Sequence, residues 1–189
     1  MLPPRPKHKA DDLEEFAGYR GLRSFELEVG SERNVYAGLR QQMLTLDPAT
    51  SRLAASAEHP HVYGGLMEMG IGGAVATLVV VADGTTSFYF STGGGIIGAG
   101  FHESVKGPSK AFLAALERHV GELGPDPGGE TPPAGVTHLR ALTFDRGRLL
   151  AVAPEADLAA KRNPFWDVFF TGHALITAIR TLPAVRKAS

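Results

Sequence analysis

Between Ser31 and Leu46 the apolar residues Val35, Leu39, Met43 and Leu46 recur at helical spacing and form one stripe. Ser31 supplies a capping hydroxyl, and Asp47-Pro48 ends the run because a residue before proline avoids helical backbone angles. From 48 to 72, glycines 64, 65, 70 and 72 interrupt Leu66, Met67 and Met69, and the segment reads as a loop entering a sheet. The clearest pattern follows. Ala74–Ala82 (AVATLVVVA) is continuously apolar, Asp83-Gly84 is a turn pair, and Thr85–Thr92 (TTSFYFST) is again β-prone. This predicts a hairpin whose first strand is buried on both faces.

A glycine-rich stretch, Gly93–Gly100, leads to a helix expected over Glu103–Leu123, with Val105, Phe112, Leu113, Leu116, Val120 and Leu123 on its buried side. Pro108 implies either a start or a bend there, and Gly124-Pro125 ends the helix. Residues 124–135 (GPDPGGETPPAG) read as a mobile surface linker. Val136–Asp145 and Arg148–Ala153 predict a second hairpin, and 154–162 has room for one more short strand. Asn163-Pro164 opens a last helix running to about Leu182. Its apolar surface extends well round the cylinder, so either the sheet and first helix cover it from two sides or part of it meets another chain.

The expected fold is α+β, an antiparallel sheet of four to five strands in two hairpins, with helices interleaved in the order α-β-β-α-β-β-α. Residues 1–10 read as a flexible tail, 11–30 as an N-terminal extension in which Phe25, Leu27 and Val29 alternate as in a short strand, 31–183 as a single domain, and 184–189 as a C-terminal tail.

Composition narrows the function classes. With 43% apolar and 21% charged residues the chain is globular in character rather than disordered. Its 19 basic and 20 acidic side chains leave no cationic excess for nucleic acid or a charged membrane surface. There is no cysteine, hence no disulfide, thiolate nucleophile or thiolate metal site. No apolar run is long enough to span a membrane, and a cytoplasmic location is the expectation.

The element order and the segment Val75–Phe90 (VATLVVVADGTTSFYF) resemble the Roadblock/LC7 domain of the profilin-like group. The resemblance implies a non-catalytic protein-interaction module that forms homo- or heterodimers and serves as a platform for small GTPases or motor and signalling complexes; for this chain the expectation is a homodimer that acts as a regulator or scaffold for a small GTPase or signalling complex.

Candidate chemistry is sparse. Gly93, Gly94, Gly95 and Gly98 match G-x-G-x-x-G between a strand and a helix, with Ser91 and Thr92 beside them. Such a loop can bring backbone N–H groups to a nucleotide or another anion. The strand is a hairpin arm, however, and no acidic residue follows where a ribose would be read, so a turn that permits close helix–sheet approach is the competing account. His59 and His61, two apart, could share a metal, but nothing in the sequence assembles further ligands, so no metal site or cofactor is expected. His173 lies among the aromatics of the last helix with no evident catalytic partner. No nucleophile–base pair stands out, and an interaction role through Trp166, Phe169, Phe170 and His173 is the leading expectation.

Overall fold

The computed structural model describes residues 29–183, with side chains from residue 35 onward. The tail at 1–10, most of the extension at 11–30 and the tail at 184–189 lie outside the described residues. The first helix, α1, spans Val29–Leu44 and so begins two residues ahead of Ser31.

Seven antiparallel strands form one sheet: β1 (Val62–Ile71), β2 (Ala74–Val81), β3 (Thr86–Phe90), β4 (Gly95–Ile96), β5 (Gly124–Pro125), β6 (Val136–Thr143) and β7 (Gly147–Pro154). Their spatial order is β4-β3-β2-β1-β6-β7-β5. A 3-10 turn at Ala99–Phe101 leads to α2 (Glu103–His119), and α3 (Glu155–Ala159) and α4 (Trp166–Arg180) close the described chain. The α+β class and both predicted hairpins are present, but the strand count and element order differ from expectation.

The main correction is β1. The stretch read as a loop is the central strand, pairing with β2 on one side and β6 on the other. Its glycines admit close neighbours. A Cβ on Gly65 would lie 2.2 Å from Leu116 Cδ1 of α2, and one on Gly70 would lie 2.0 Å from the Pro133 carbonyl oxygen. Glycine weakens a strand by propensity, but here it lets a helix and a loop pack directly on the sheet.

Other differences are local. α2 stops at His119 and carries Pro108 inside it, neither starting there nor running to Leu123. The room for a strand after Pro154 is taken by α3, whose first turn holds Glu155 and Asp157, the charge sign a helix N-terminus favours. α4 begins at Trp166 rather than at Asn163-Pro164, and Asn163 Oδ1 instead accepts a bond from the Phe165 amide at 3.0 Å.

The two sheet faces are covered separately. α2 and α4 close one face over an apolar core that includes Met67, Leu78, Phe112, Leu139, Leu175 and Ile179. On the other face α1 packs through Tyr36 and Leu44 onto Leu66, Val75, Val79, Tyr89 and Leu142. Segment 124–135, expected to be a free linker, is tied down on this second face. Gly135 donates to the Gly70 carbonyl at 2.9 Å, and the Asp126 side chain is almost wholly buried.

Candidate functional site

The sheet register assembles a polar row across the α1 face. Tyr89 of β3 lies opposite Thr77 of β2, Thr77 opposite Glu68 of β1, and Glu68 opposite His138 of β6. These positions alternate with core-facing residues, so strand periodicity alone places all four side chains on one surface. α1 closes over the row. Tyr36 Oη and Thr77 Oγ1 are hydrogen-bonded at 3.1 Å, and Arg40 grips Glu68 with Nε at 2.5 Å from Oε1 and Nη2 at 3.0 Å from Oε2. The Tyr89 hydroxyl is buried with no hydrogen-bond partner among the described residues, and burial, followed by the nearby Tyr36, raises its pKa.

Arg140, one residue pair along β6, is the centre of this cluster and its side chain is wholly buried. Its Nη1 bonds Glu68 Oε2, its Nε reaches Asp126 Oδ2 at 3.2 Å, and its Nη2 faces the Glu130 carbonyl and His138 Nδ1, the latter at 3.2 Å. Arg148 Nε lies 3.5 Å from the same Asp126 oxygen. Burial draws the Arg140 guanidinium down to about 10, helped by Arg40 and Arg148, and this still leaves it a cation at neutral pH. Burial also lowers the His138 pKa. Two buried carboxylates thus face three arginines, with backbone carbonyls completing the set. A cluster of this kind fixes geometry, since ions taken out of water are tolerated only when every partner is in place. Nothing in the local sequence revealed it: Arg40, Glu68, Asp126 and Arg140 are spread over 100 residues, and the register of β1 on β6, the packing of α1 and the return of the chain after β5 bring them together.

The glycine loop has a structural task. Gly93 and Gly94, both at positive φ, turn the chain, and Gly95-Ile96 returns as β4 against Phe88 and Tyr89. A Cβ on Gly95 would fall 2.5 Å from the Phe88 carbonyl oxygen. Gly98, in the left-handed region, donates to Ser87 Oγ at 3.3 Å and precedes the 3-10 turn. The loop therefore forms a further, short hairpin, β3–β4, at the sheet edge, and α2 starts only after the intervening 3-10 turn. Ser91 and Thr92, with Tyr36 and Gly73, line an open depression of ≈ 360 Å³. Ser91 Oγ already accepts from the Val75 amide at 2.8 Å, and none of these four residues is charged.

The four residues proposed for an interface divide. Phe169 is buried in the core, while Trp166 and Phe170 are 38% and 41% exposed. His173 is half-buried with its ring 4.3 Å from that of Phe169. The surplus apolar surface of α4 is largely covered by α2 and the sheet, whereas α1 lies on the other face. What remains outside is the Trp166–Phe170 edge-on pair, with Lys161 Nζ 4.5 Å from the Trp166 ring and 5.6 Å from that of Phe170. Lys161 occupies the left-handed region, φ 56, just past the end of α3. There Arg162 N bonds Asp157 O and Lys161 N bonds Leu158 O, the helix-ending arrangement that normally takes glycine.

At the same end of the molecule His119 joins α2 to α4, with Nε2 2.8 Å from Asp167 Oδ1 and Nδ1 3.0 Å from Glu122 Oε1. Burial pushes the Asp167 carboxyl up, but hydrogen bonds from Arg118 and His119 outweigh it and hold the group below its ordinary value. The histidines of the 59–61 segment do not converge. His59 is buried, His61 pairs with Asp145 at 3.4 Å, and no group of three metal-ligating side chains forms among the described residues. No helix among the described residues is long and apolar enough to cross a membrane. No protein-family model matches the chain, and no curated protein or solved structure is significantly similar to it.

Proposed function

We propose that this chain is a non-catalytic interaction module of Roadblock-like type that pairs with a second copy of itself and presents the assembled surface to another protein, such as a small GTPase. The observation carrying this reading is the exposed aromatic pair Trp166–Phe170 under the Lys161 ammonium. Tryptophan is enriched among the residues that dominate binding at protein interfaces, and a cation over an aromatic face is attracted to it. Lys161 is held in a backbone conformation that costs a non-glycine residue about 1 kcal/mol, a cost consistent with a role for its side chain. The test is solution mass by light scattering over a range of concentrations. The wild-type chain is expected to run at twice its 20.0 kDa, and Trp166→Ser with Phe170→Ser at 20.0 kDa with unchanged thermal stability. A wild-type monomer at all concentrations overturns the reading.

A second reading is that the depression lined by Ser91, Thr92, Tyr36 and Gly73 holds a small ligand such as a nucleotide or another anion. Calorimetric titration with common nucleotides and inorganic phosphate tests it. No heat at millimolar ligand, or binding unchanged by Thr92→Asp in the lining, removes it.

A further inference from the structure

The Glu130 carbonyl oxygen faces three basic groups. Arg40 Nη2 lies 3.1 Å away, Arg140 Nη2 bonds it closely, and His138 Nδ1 sits 3.2 Å from it. A carbonyl oxygen has two lone pairs, and the two arginines take them. Arg140 Nη2 has two hydrogens, one for Glu130 O and one for whatever lies 3.2 Å on its other side, which is His138 Nδ1. An arginine can only donate, so the bond forms only when Nδ1 carries a lone pair, that is, in neutral His138 with its proton on Nε2.

We infer that His138 is a proton-sensitive clasp: neutral, it helps hold segment 126–135 on the sheet, and protonated, it releases that segment.

Among the described residues, the one acceptor within reach of a protonated Nδ1 is the Glu130 carbonyl, which Arg40 and Arg140 already occupy; Asp126 and Glu130 favour the cation, but burial, the largest influence, and Arg40 oppose it and the neutral ring prevails. Glu68, opposite in register on β1, has both oxygens bound by Arg40 of α1 and Arg140. Asp126, the first residue of the segment, is shared between Arg140 and Arg148 of β7 on one oxygen and accepts from the Gly129 amide at 3.1 Å with the other. Across β7 the opposing residue is Val152, which offers no acceptor side chain. The Glu130 carboxylate belongs to the segment itself. A proton on Nδ1 therefore places a second donor 3.2 Å from a buried guanidinium and adds a fourth cation to a site holding two buried carboxylates. The weakest tie yields first. Segment 126–135 is anchored at its ends by the Asp126 bonds, including its amide to the Arg148 carbonyl at 3.0 Å, and by Gly135, bonded to Gly70 and to the Glu155 amide at 2.9 Å; between them Glu130 O is its tie to the charged cluster, without a helix or a long strand of its own. Its release would uncover β1 at Gly70, which now lies under Pro133.

The experiment uses the full chain. Amide-exchange protection factors, corrected for intrinsic rates, are measured between pH 7.5 and 5 for Gly128, Gly129 and Gly135, with β2 amides as the control for global folding. Protection of the three glycines falls several-fold on acidification while β2 protection holds. In His138→Gln, which keeps an acceptor and cannot titrate, the three glycines show no such fall. Equal pH profiles in the two proteins, or loss of protection in β2 together with the loop, overturn the proposal. Imidazole ¹⁵N shifts of the wild-type chain give an independent reading that needs no variant. Neutral His138 protonated on Nε2 supports the clasp, and neutral His138 protonated on Nδ1 overturns it.

Discussion

The face of the sheet under α2 and α4 and the face under α1 solve the same burial problem differently. The first is closed by side chains such as Phe112, Met67, Leu116 and Leu139, whose contribution is non-directional and scales with apolar area. The second buries an aromatic and aliphatic patch beside Arg40, Glu68, Arg140 and Asp126, whose contribution depends on distance and completeness. The apolar face tolerates adjustment and supplies most of the driving force. The charged face tolerates little, and it specifies which strand row α1 and segment 126–135 must meet.

Removing one ion should expose that difference most sharply. Glu68→Ala leaves Arg40 and Arg140 buried without their carboxylate and should cost about 3–5 kcal/mol in urea unfolding. Replacing the set together (Arg40→Met, Glu68→Leu, Asp126→Asn, Arg140→Leu) should recover most of that loss, because no buried charge is then left without its partner. If the quadruple variant is no more stable than Glu68→Ala, the faces are not distinguished in this way. Phe112→Ala on the opposite face should also cost about 3–5 kcal/mol, with no second-site change able to restore it short of refilling the cavity.

Gly70→Ala is the next step down. Its Cβ would meet the Pro133 carbonyl at 2.0 Å, so the loop must lift. A cost of about 1–3 kcal/mol is expected, with amide exchange rising at 128–135 and not in β2.

Acid should act on the two faces in separate windows. His138 has a folded pKa below its ordinary 6.5, chiefly through burial, so the unfolded chain binds the proton first. Stability is therefore lost as pH drops below 6.5 and levels off below the folded value. Asp167, at the α2–α4 junction, is held below its ordinary 3.8 against the opposing effect of burial. Its contribution is present above that value and disappears as pH falls through the lower folded one. Stability against pH in His138→Gln should lack the first loss, and in Asp167→Asn the second. The smallest effect is expected at Lys161→Gly. Relief of the left-handed backbone, about 1 kcal/mol, offsets a lost cation–π contact of about 0.5–1 kcal/mol, so stability barely moves. Light scattering then shows whether the ammonium matters to association.

How far the sequence could be read varied with how local the cause was. The hairpin at Asp83-Gly84 was legible because strand and turn preferences agree over a dozen adjacent residues. β1 was not, because Gly64, Gly65 and Gly70 look like loop residues until the helix and loop that press on them are known. Segment 124–135 looked free because nothing local binds it; its ties run to Arg40, Gly70 and Arg140. Of the ligand residues singled out, Ser91 and Thr92 do border a depression, while the glycines serve a hairpin turn. Of the interface residues, Trp166 and Phe170 reach the surface and Phe169 does not, a division set by where α2 crosses α4.

By itself the sequence determined the α+β class, the two hairpins and the helical stretches later found as α1, α2 and α4, all of which depend on periodicity and turn chemistry within a few residues. Only the tertiary structure decided the central place of β1, the two-sided covering of the sheet and the assembly of Arg40, Glu68, Asp126, His138 and Arg140. Those depend on strand register and close approach between residues far apart in the chain, and electrostatic pairing at such distances leaves no periodic trace in the sequence.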